Sequence, residues 1–382
     1  MGDLERGRIE FFMKKTFELA KNMGTKTAPN PPVGAILVKE NKVIGEGFHK
    51  GAGFPHAEVS AIESAVKKGF DTKGAEIFVS LQPCNFYGRT PPCTHIIQKY
   101  GIKRVFFSVY DPNIKGKYEI EGAEVIGGVL EDEGKRILLP FLTFLKERRP
   151  YVILKYAQSI DGKLADREGR SKYISSEKSL LITHKLRAKV NFILVGKKTV
   201  EVDNPHLDAR RYKDRVILRV KKLIGGEFPA PVKIVLGIPS SFANLNILGG
   251  NNVVFIFNGS QKELRKISEF LSSGEVRNVS FLSLSRTSPH DILNFVYENG
   301  GLSLLVEGGP GTLWRFIKER AFDELWVFVA PKIFGGGKGF DFPDSFLFGQ
   351  EVNLTLCELK RLGDDIFLRY SAREDKLIWD LW

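Results

Sequence analysis

Nothing constrains this chain more than one histidine and two cysteines that are useful only if the fold brings them together. His56-Ala57-Glu58 opens a run with apolar residues at Val59, Ile62 and Val66, the spacing of a helix with one buried face. Glu76–Ser80 is a short β-rich run that leads to Pro83-Cys84, and Pro91-Pro92 precede Cys93 and a further helical run, Thr94–Tyr100. One imidazole and two thiolates satisfy zinc while leaving a fourth place for water. His56 and Cys93 fall at or just before helix starts, where the helix dipole stabilises a thiolate, and Cys84 sits on the turn after a strand.

The remaining signals in the first half agree with an α/β domain. Val33–Val38 and Lys42–Gly47 flank a turn and predict a hairpin, and Arg104–Val109 predicts another strand. Strands alternating with helices imply a three-layer α/β/α arrangement. Phe141–Pro150 is expected to end a helix and enter a linker, because proline disfavours helix at the residue before it. An apolar strand, Tyr151–Ala157, then opens a second α/β pattern. Its further strands are expected at Phe192–Val195, Val232–Leu236, Val253–Phe257, Ser303–Val306, Glu324–Ala330 and Ile366–Ser371. A chain of 382 residues exceeds the usual size of one core, so two domains are expected, 1–146 and 147–382. Three cysteines are too few for a disulfide scaffold, and Cys357, in an apolar-alternating segment, is expected to be buried.

The order His-x-Glu, then Pro-Cys, then Cys is the signature of zinc deaminases. Zinc lowers the pKa of water towards neutrality, and a carboxylate that is not a ligand must then carry the proton to the departing amine. Glu58, two residues after His56, is placed for that task. A structural zinc site would need a fourth protein ligand, for which His95 and His49 are the candidates, and would leave Glu58 without a task.

Between the cysteines stands Asn85-Phe86-Tyr87-Gly88-Arg89-Thr90-Pro91-Pro92. The stretch PCNFYGRTPPC, with GIKRVFFSVYDPN, the upstream Asn30-Pro31-Pro32-Val33-Gly34, Gly45-Glu46-Gly47-Phe48-His49 and Pro55-His56-Ala57-Glu58, resembles the deaminase half of the bacterial bifunctional riboflavin-biosynthesis deaminase/reductase. The likeness spans roughly residues 10–130. It implies a cytidine-deaminase-like fold, zinc held by His56, Cys84 and Cys93, Glu58 as proton shuttle, Asn30 and His49 against the pyrimidine or its ribose, and Arg89 at a phosphate. Gln82 stands where the family usually has Glu, and Phe86 where a His is usual. The latter puts substrate contact at position 86 in doubt.

The second half carries Leu154-Lys155-Tyr156-Ala157-Gln158-Ser159-Ile160-Asp161-Gly162-Lys163, Ser171-Lys172-Tyr173-Ile174-Ser175, Leu186-Arg187-Ala188, Val202-Asp203-Asn204-Pro205 and Glu307-Gly308-Gly309-Pro310-Gly311-Thr312-Leu313. A Gly-rich turn before the helical stretch Leu313–Arg320 leaves backbone N–H groups for a pyrophosphate, although it is not the G-x-G-x-x-G fingerprint. A guanidinium such as Arg187 or Arg210 suits a substrate phosphate. The ordered set is similar to the same family's reductase half, with a dihydrofolate-reductase-like fold. The resemblance implies NADPH contacts at Ala157, Tyr173, Thr199, Asp203, Gly309, Pro310, Gly311 and Thr312. It places Ser171, Arg187, Leu207, Arg210 and Glu307 on the substrate side, with Lys155 and Asp161 beside them at the strand end.

Net charge is +12, and from Lys185 to Lys222 twelve Lys or Arg face four Asp or Glu. Such a region attracts nucleic acid or small phosphorylated ligands. A nucleic-acid base deaminase would leave residues 150–370 unexplained, and a non-catalytic ligand-binding derivative would leave intact ligands and Glu58 without a use. The expected partner is a phosphorylated pyrimidine, with no nucleic acid, no membrane and a homo-oligomer, most simply a dimer. The start alternates acidic and basic residues and no apolar run reaches the roughly 20 residues of a span, so a cytoplasmic location is expected.

Overall fold

The computed structural model describes residues 2–88, 90–171, 174–210, 230–250, 252–272, 278–340, 346 and 350–381. They fall into two compact units, one built from residues 2–147 and 379–381, the other from 148–210 and 230–378.

In the first unit a sheet carries β1 (Gly34–Lys39), β2 (Lys42–Phe48), β3 (Glu76–Leu81), β4 (Arg104–Val109) and β5 (Glu124–Ile126), in the order β2-β1-β3-β4-β5. β1 pairs antiparallel with β2 and β3, while β3, β4 and β5 run parallel. The β1–β2 hairpin turns on Glu40 and Asn41, both at positive φ (50° and 60°), the turn whose twist matches its strands. Helix α1 (Asp3–Lys21) buries Ile9, Phe12, Met13, Thr16, Phe17 and Ala20, a stripe at helical spacing, against Ile36, Phe78 and Phe106 of the sheet. Helices α2 (Ala57–Lys67) and α3 (Cys93–Lys99) occur where the sequence predicts them. The unit is closed by α4 (Glu131–Glu147).

Gly47 shows how closely α2 lies on β2. A Cβ added there would sit 2.3 Å from the Ala57 carbonyl oxygen and 2.4 Å from the Ala61 nitrogen, both backbone atoms that cannot step aside. G47A is therefore expected to destabilise this unit by about 2–3 kcal/mol, the cost of overpacking a tight contact, seen as a lowered denaturant midpoint. A midpoint matching wild type would show that α2 slides freely on the sheet.

The chain's last residues return to this first unit for a reason written in α4. Pro140 lies inside that helix and has no N–H to give the carbonyl of Arg136. The Asp380 N–H takes that oxygen instead at 3.0 Å, and Trp379, 1% exposed, donates from Nε1 to the next carbonyl, Ile137. Lys21 of α1 pairs with Asp380 at 2.9 Å.

The second unit has a nine-stranded sheet. Its strands are β6 (Tyr151–Ser159), β7 (Phe192–Gly196), β8 (Val232–Leu236), β9 (Val253–Phe257), β10 (Val279–Ser283), β11 (Ser303–Glu307), β12 (Glu324–Ala330), β13 (Thr355–Leu362) and β14 (Asp365–Ser371). The order is β10-β9-β8-β7-β11-β6-β12-β14-β13, parallel except for the hairpin β13–β14 against β12. Its helices include α5 (Glu177–Lys189), α6 (Lys197–Asp203), α7 (Gln261–Ser272), α8 (Pro289–Glu298) and α9 (Pro310–Lys318). The core packs Val152, Leu154, Leu194, Leu304 and Val306 of the central strands against Leu313 and Phe316 of α9 and Ile292 and Val296 of α8. Because the buried strands are covered on both faces, they are continuous apolar runs, which is why they are legible in the sequence. Cys357 corrects an expectation: it lies exposed on the edge strand β13, which is solvated along most of its length, and it falls at the bulge between Leu356 and Glu358 where the pairing with β14 shifts register.

Among the described residues no helix is long and apolar enough to cross a membrane.

Candidate active sites

The first site forms beside the ends of β3 and β4. His56 is the N-cap of α2, held extended (φ −67°, ψ 163°), and Cys93 is the first residue of α3 behind Pro92. Cys84 is the third residue after β3, and its carbonyl accepts the Thr94 N–H, which ties the loop to α3. The three donor atoms lie within 4.8 Å of one another. His56 Nδ1 is 3.2 Å from Cys93 Sγ and 3.6 Å from Cys84 Sγ. The Cys93 N–H donates to Cys84 Sγ at 3.3 Å. Hydrogen bonding from Cys93 and then from His56 pulls the Cys84 thiol down to about 4, while burial opposes it. Cys93, bonded to Cys84 and buried, is pushed up. One nitrogen and two sulfurs converging on a point, with no fourth protein donor in the cluster among the described residues, fit an open zinc site.

Glu58 is 4% exposed, and burial pushes its carboxyl up to about 7. It lies close enough to feel His56, Cys84 and Cys93, yet it is not one of the converging donors. His49 packs edge-on to His56 with ring centroids 5.4 Å apart. Its Nδ1–H donates to the Pro55 carbonyl at 3.1 Å, so Nε2 accepts from Asn30 Nδ2 at 2.9 Å and fixes how that amide lies. Asn30 and His49 thus meet beside the three converging donors. Arg89 lies outside the described residues.

The sequence reading missed three neighbours. Thr90 Oγ1 is 3.4 Å from His56 Nε2, the ring nitrogen turned away from the two thiols, so this contact sets the ring orientation. Tyr118 donates to the Pro83 carbonyl at 2.7 Å and braces the cysteine loop. Gln82 accepts the Asp111 N–H through Oε1 at 3.1 Å, a task an amide oxygen performs as a carboxylate would, so the departure at position 82 keeps the contact. Asp111 stands in the DPN stretch, the one signal that could have marked it. Phe86 is 44% exposed.

The second site is a cavity of about 960 Å³ beyond the carboxyl ends of β6, β7 and β11. It is lined by Lys155, Ala157, Ser171, Arg187, Thr199, Asp203, Leu207, Arg210, Glu307, Gly309, Pro310, Gly311 and Thr312, among others. Open α/β sheets place ligands at this end. Tyr173 lies outside the described residues. Asp161 is not among the lining residues: its carboxylate accepts from Ser159 Oγ (2.5 Å) and from the N–H groups of Phe334 (3.2 Å) and Gly335 (2.8 Å), pinning the turn after β6 to the loop after β12.

Glu307, the last residue of β11, is gripped by Arg187 of α5 through two bonds of 2.7 and 2.8 Å, with Lys155 Nζ 3.8 Å away. Burial alone would raise its carboxyl, but Arg187 and then Lys155 hold it at about 2. Burial in turn pulls Lys155 down. Ser171 Oγ donates to Asp203 at 2.6 Å, so those two residues act as one element of the wall. Arg210 is clamped on Asp208 at 2.9 Å, just after Leu207, which is buried at positive φ (50°). Helix α9 begins Gly309-Pro310-Gly311. A Cβ at Gly309 or Gly311 would meet nothing within 4 Å, so a ligand can approach the backbone closely there; Thr312 and Leu313 turn their N–H groups back to the Gly309 carbonyl (3.1 and 3.3 Å), and the positive end of the helix faces an incoming pyrophosphate. That open helix start and the cavity's size fit a nicotinamide dinucleotide.

A zinc-type deaminase centre in one unit and a dinucleotide-sized cavity in the other define a two-site enzyme of the deaminase/reductase class. The comparisons name it more closely. Residues 7–109 match the cytidine and deoxycytidylate deaminase zinc-binding region, and residues 150–368 match the RibD C-terminal domain. The chain is 38% identical over 370 residues to the riboflavin biosynthesis protein RibD of Aquifex aeolicus, covering 94% of this chain and 97% of that protein. To RibD of Bacillus amyloliquefaciens it is 36% identical over 386 residues, covering 96% and 97%. A solved diaminohydroxyphosphoribosylaminopyrimidine deaminase/5-amino-6-(5-phosphoribosylamino)uracil reductase from Thermotoga maritima superimposes with a TM-score of 0.82 at 34% identity, covering 96% of this chain and 99% of that one. This chain belongs to the RibD family and is a bifunctional riboflavin-biosynthesis enzyme, a zinc-dependent deaminase and an NADPH-dependent reductase.

Proposed function

We propose that residues 1–146 deaminate 2,5-diamino-6-ribosylamino-4(3H)-pyrimidinone 5′-phosphate and that residues 147–382 then reduce its ribosyl to a ribityl side chain. The observation that carries the deaminase assignment is the convergence of His56, Cys84 and Cys93 with a buried carboxyl beside them. Bound by those three residues, zinc supplies a Lewis acid that lowers the pKa of water. Glu58 takes a proton from the attacking water and returns it to the departing amino group. Asn30, held by His49, meets the pyrimidine or its ribose, and Arg89 meets the phosphate.

In the reductase, Ala157, Tyr173, Thr199, Asp203 and the Gly309–Thr312 turn would hold NADPH, which would supply the reducing equivalent. Glu307, fixed by Arg187, and Lys155 orient the ribose chain. Ser171, Leu207 and Arg210 complete the substrate side, with Arg210 and Arg187, whose Nη1 reaches the Asp208 carbonyl at 3.4 Å, on the phosphate and Asp161 supporting the adjacent turn. The enzyme works as a homodimer in the cytoplasm.

Metal analysis tests the centre directly. The wild-type chain is expected to carry about one zinc and C93S almost none, because a hydroxyl replaces a thiolate in a three-ligand set. Ammonia release from the diaminopyrimidine falls with the metal. Full zinc and full ammonia release in C93S would refute the centre.

A further inference from the structure

The reductase cavity holds a buried polar atom that the assignments above do not use. His184 lies on α5 one turn before Arg187, is 5% exposed and lines the cavity. Its Nδ1 is buried with no hydrogen-bond partner, alone among such side-chain atoms of the described residues. Native proteins leave few buried polar groups in that state, and each calls for an explanation. The ring sits in the field of Arg187, Glu307, Asp208 and Arg210. Burial, and then Arg187, push its pKa down to about 4, so the imidazole is neutral near pH 7.

A neutral imidazole has one N–H and one lone pair. The proton settles on the nitrogen that can reach an acceptor. Buried Nδ1 has none, which leaves the N–H on Nε2, the other nitrogen of this cavity-lining ring. The neighbouring cations are partly committed: Arg187 gives Nε and Nη2 to Glu307, and Arg210 gives Nη1 to Asp208. An entering phosphate therefore meets guanidinium charge already matched by carboxylates. A neutral donor carries no such counter-charge.

We propose that the His184 Nε2–H donates a hydrogen bond to the phosphate of the reductase substrate, beside Arg187 and Arg210, and thereby sets the preference for phosphorylated over dephosphorylated substrate. This rests on the reading that those two arginines hold the phosphate.

The test uses the full chain with NADPH and two substrates, the deaminated phosphoribosylaminopyrimidine and its dephosphorylated form. H184L removes both ring nitrogens, whereas H184Q keeps an N–H near the Nε2 position. H184L is expected to raise KM for the phosphorylated substrate about tenfold to hundredfold, the loss of one hydrogen bond to a charged group, while KM for the dephosphorylated form moves less than about threefold. H184Q recovers most of that loss. Equal KM increases for both substrates, or equal losses in H184Q and H184L, mean a packing role and overturn the proposal. R210A separates the two layers. A phosphate preference narrowed by R210A but not by H184L removes His184 alone. A preference narrowed by H184L but not by R210A overturns the arginine reading and keeps His184. Thermal unfolding is recorded for each variant. If H184L does not fold, H184N replaces it: its amide lies near the Nδ1 position, so it loses the phosphate preference that H184Q keeps, and equal behaviour of the two overturns the proposal.

Discussion

E58Q is expected to lower the deamination rate by about 10³- to 10⁴-fold, the upper range of what one positioned acid–base group supplies, with zinc content unchanged. The reasoning starts from shape. Gln fills the space of Glu, so α2 and its N-cap His56 stay in place, and the converging donors do not include position 58. What disappears is the ability to accept a proton and give it up again. A carboxyl buried to 4% exposure is shielded from bulk water, so solvent cannot readily substitute for it. NADPH oxidation with the deaminated intermediate should continue, because Glu58 belongs to the other unit. The measurement is ammonia release against zinc per chain. A variant that loses zinc together with activity would make Glu58 a ligand, and one that keeps about a tenth or more of the rate would place the proton shuttle elsewhere.

The parts of this molecule that the sequence discloses are those set by local period. The spans of β4, β8, β9 and β12 coincide with their apolar runs, and α2 and α3 begin where the ligand motif requires. The zinc cluster was legible because metal chemistry restricts both residue type and order. Edge elements were not: β13 carries Glu358, Lys360 and Arg361 among its residues and is largely exposed, so it lacks the continuous apolar character of a buried strand. Partners far apart in the chain were not legible either. Nothing local at Arg187 announces Glu307, 120 positions on, and nothing local at Asp161 announces that its carboxylate holds the backbone of Phe334 and Gly335. Pro140 is visible in the sequence, but the tail that supplies the missing N–H to the Arg136 carbonyl lies some 240 positions on and carries no local mark of that task.

The largest loss of stability is expected from E324Q, which should destabilise the second unit by about 3–5 kcal/mol, the cost of leaving a buried charge without its partner. Glu324 opens β12 and is fully buried. Its Oε2 accepts from Arg369 Nε at 2.6 Å and Trp326 Nε1 at 2.7 Å, and its Oε1 accepts from the Tyr151 hydroxyl at 2.7 Å and Arg369 Nη2 at 3.0 Å. One carboxylate thus joins β6, β12 and β14 and satisfies four donor groups on three side chains. An amide has a single acceptor oxygen, so at least one donor loses its partner and the 4%-exposed Arg369 loses its close countercharge, with Glu358 standing farther off at 3.6 Å. At about 2–4 °C per kcal/mol for a domain of this size, the unfolding midpoint should fall by roughly 10 °C. Replacing both ion partners with leucine should recover part of that loss, since no charge is then stranded, but not all of it, because the Tyr151 and Trp326 donors still lack an acceptor. The cluster sits at the start of β6, whereas Lys155 and Ala157 face the cavity further along, so the turnover of folded enzyme should hold while its thermal range shrinks. A midpoint within about 2 °C of wild type would mean that water reaches Arg369 and that this ion pair is not what locks the hairpin to the sheet.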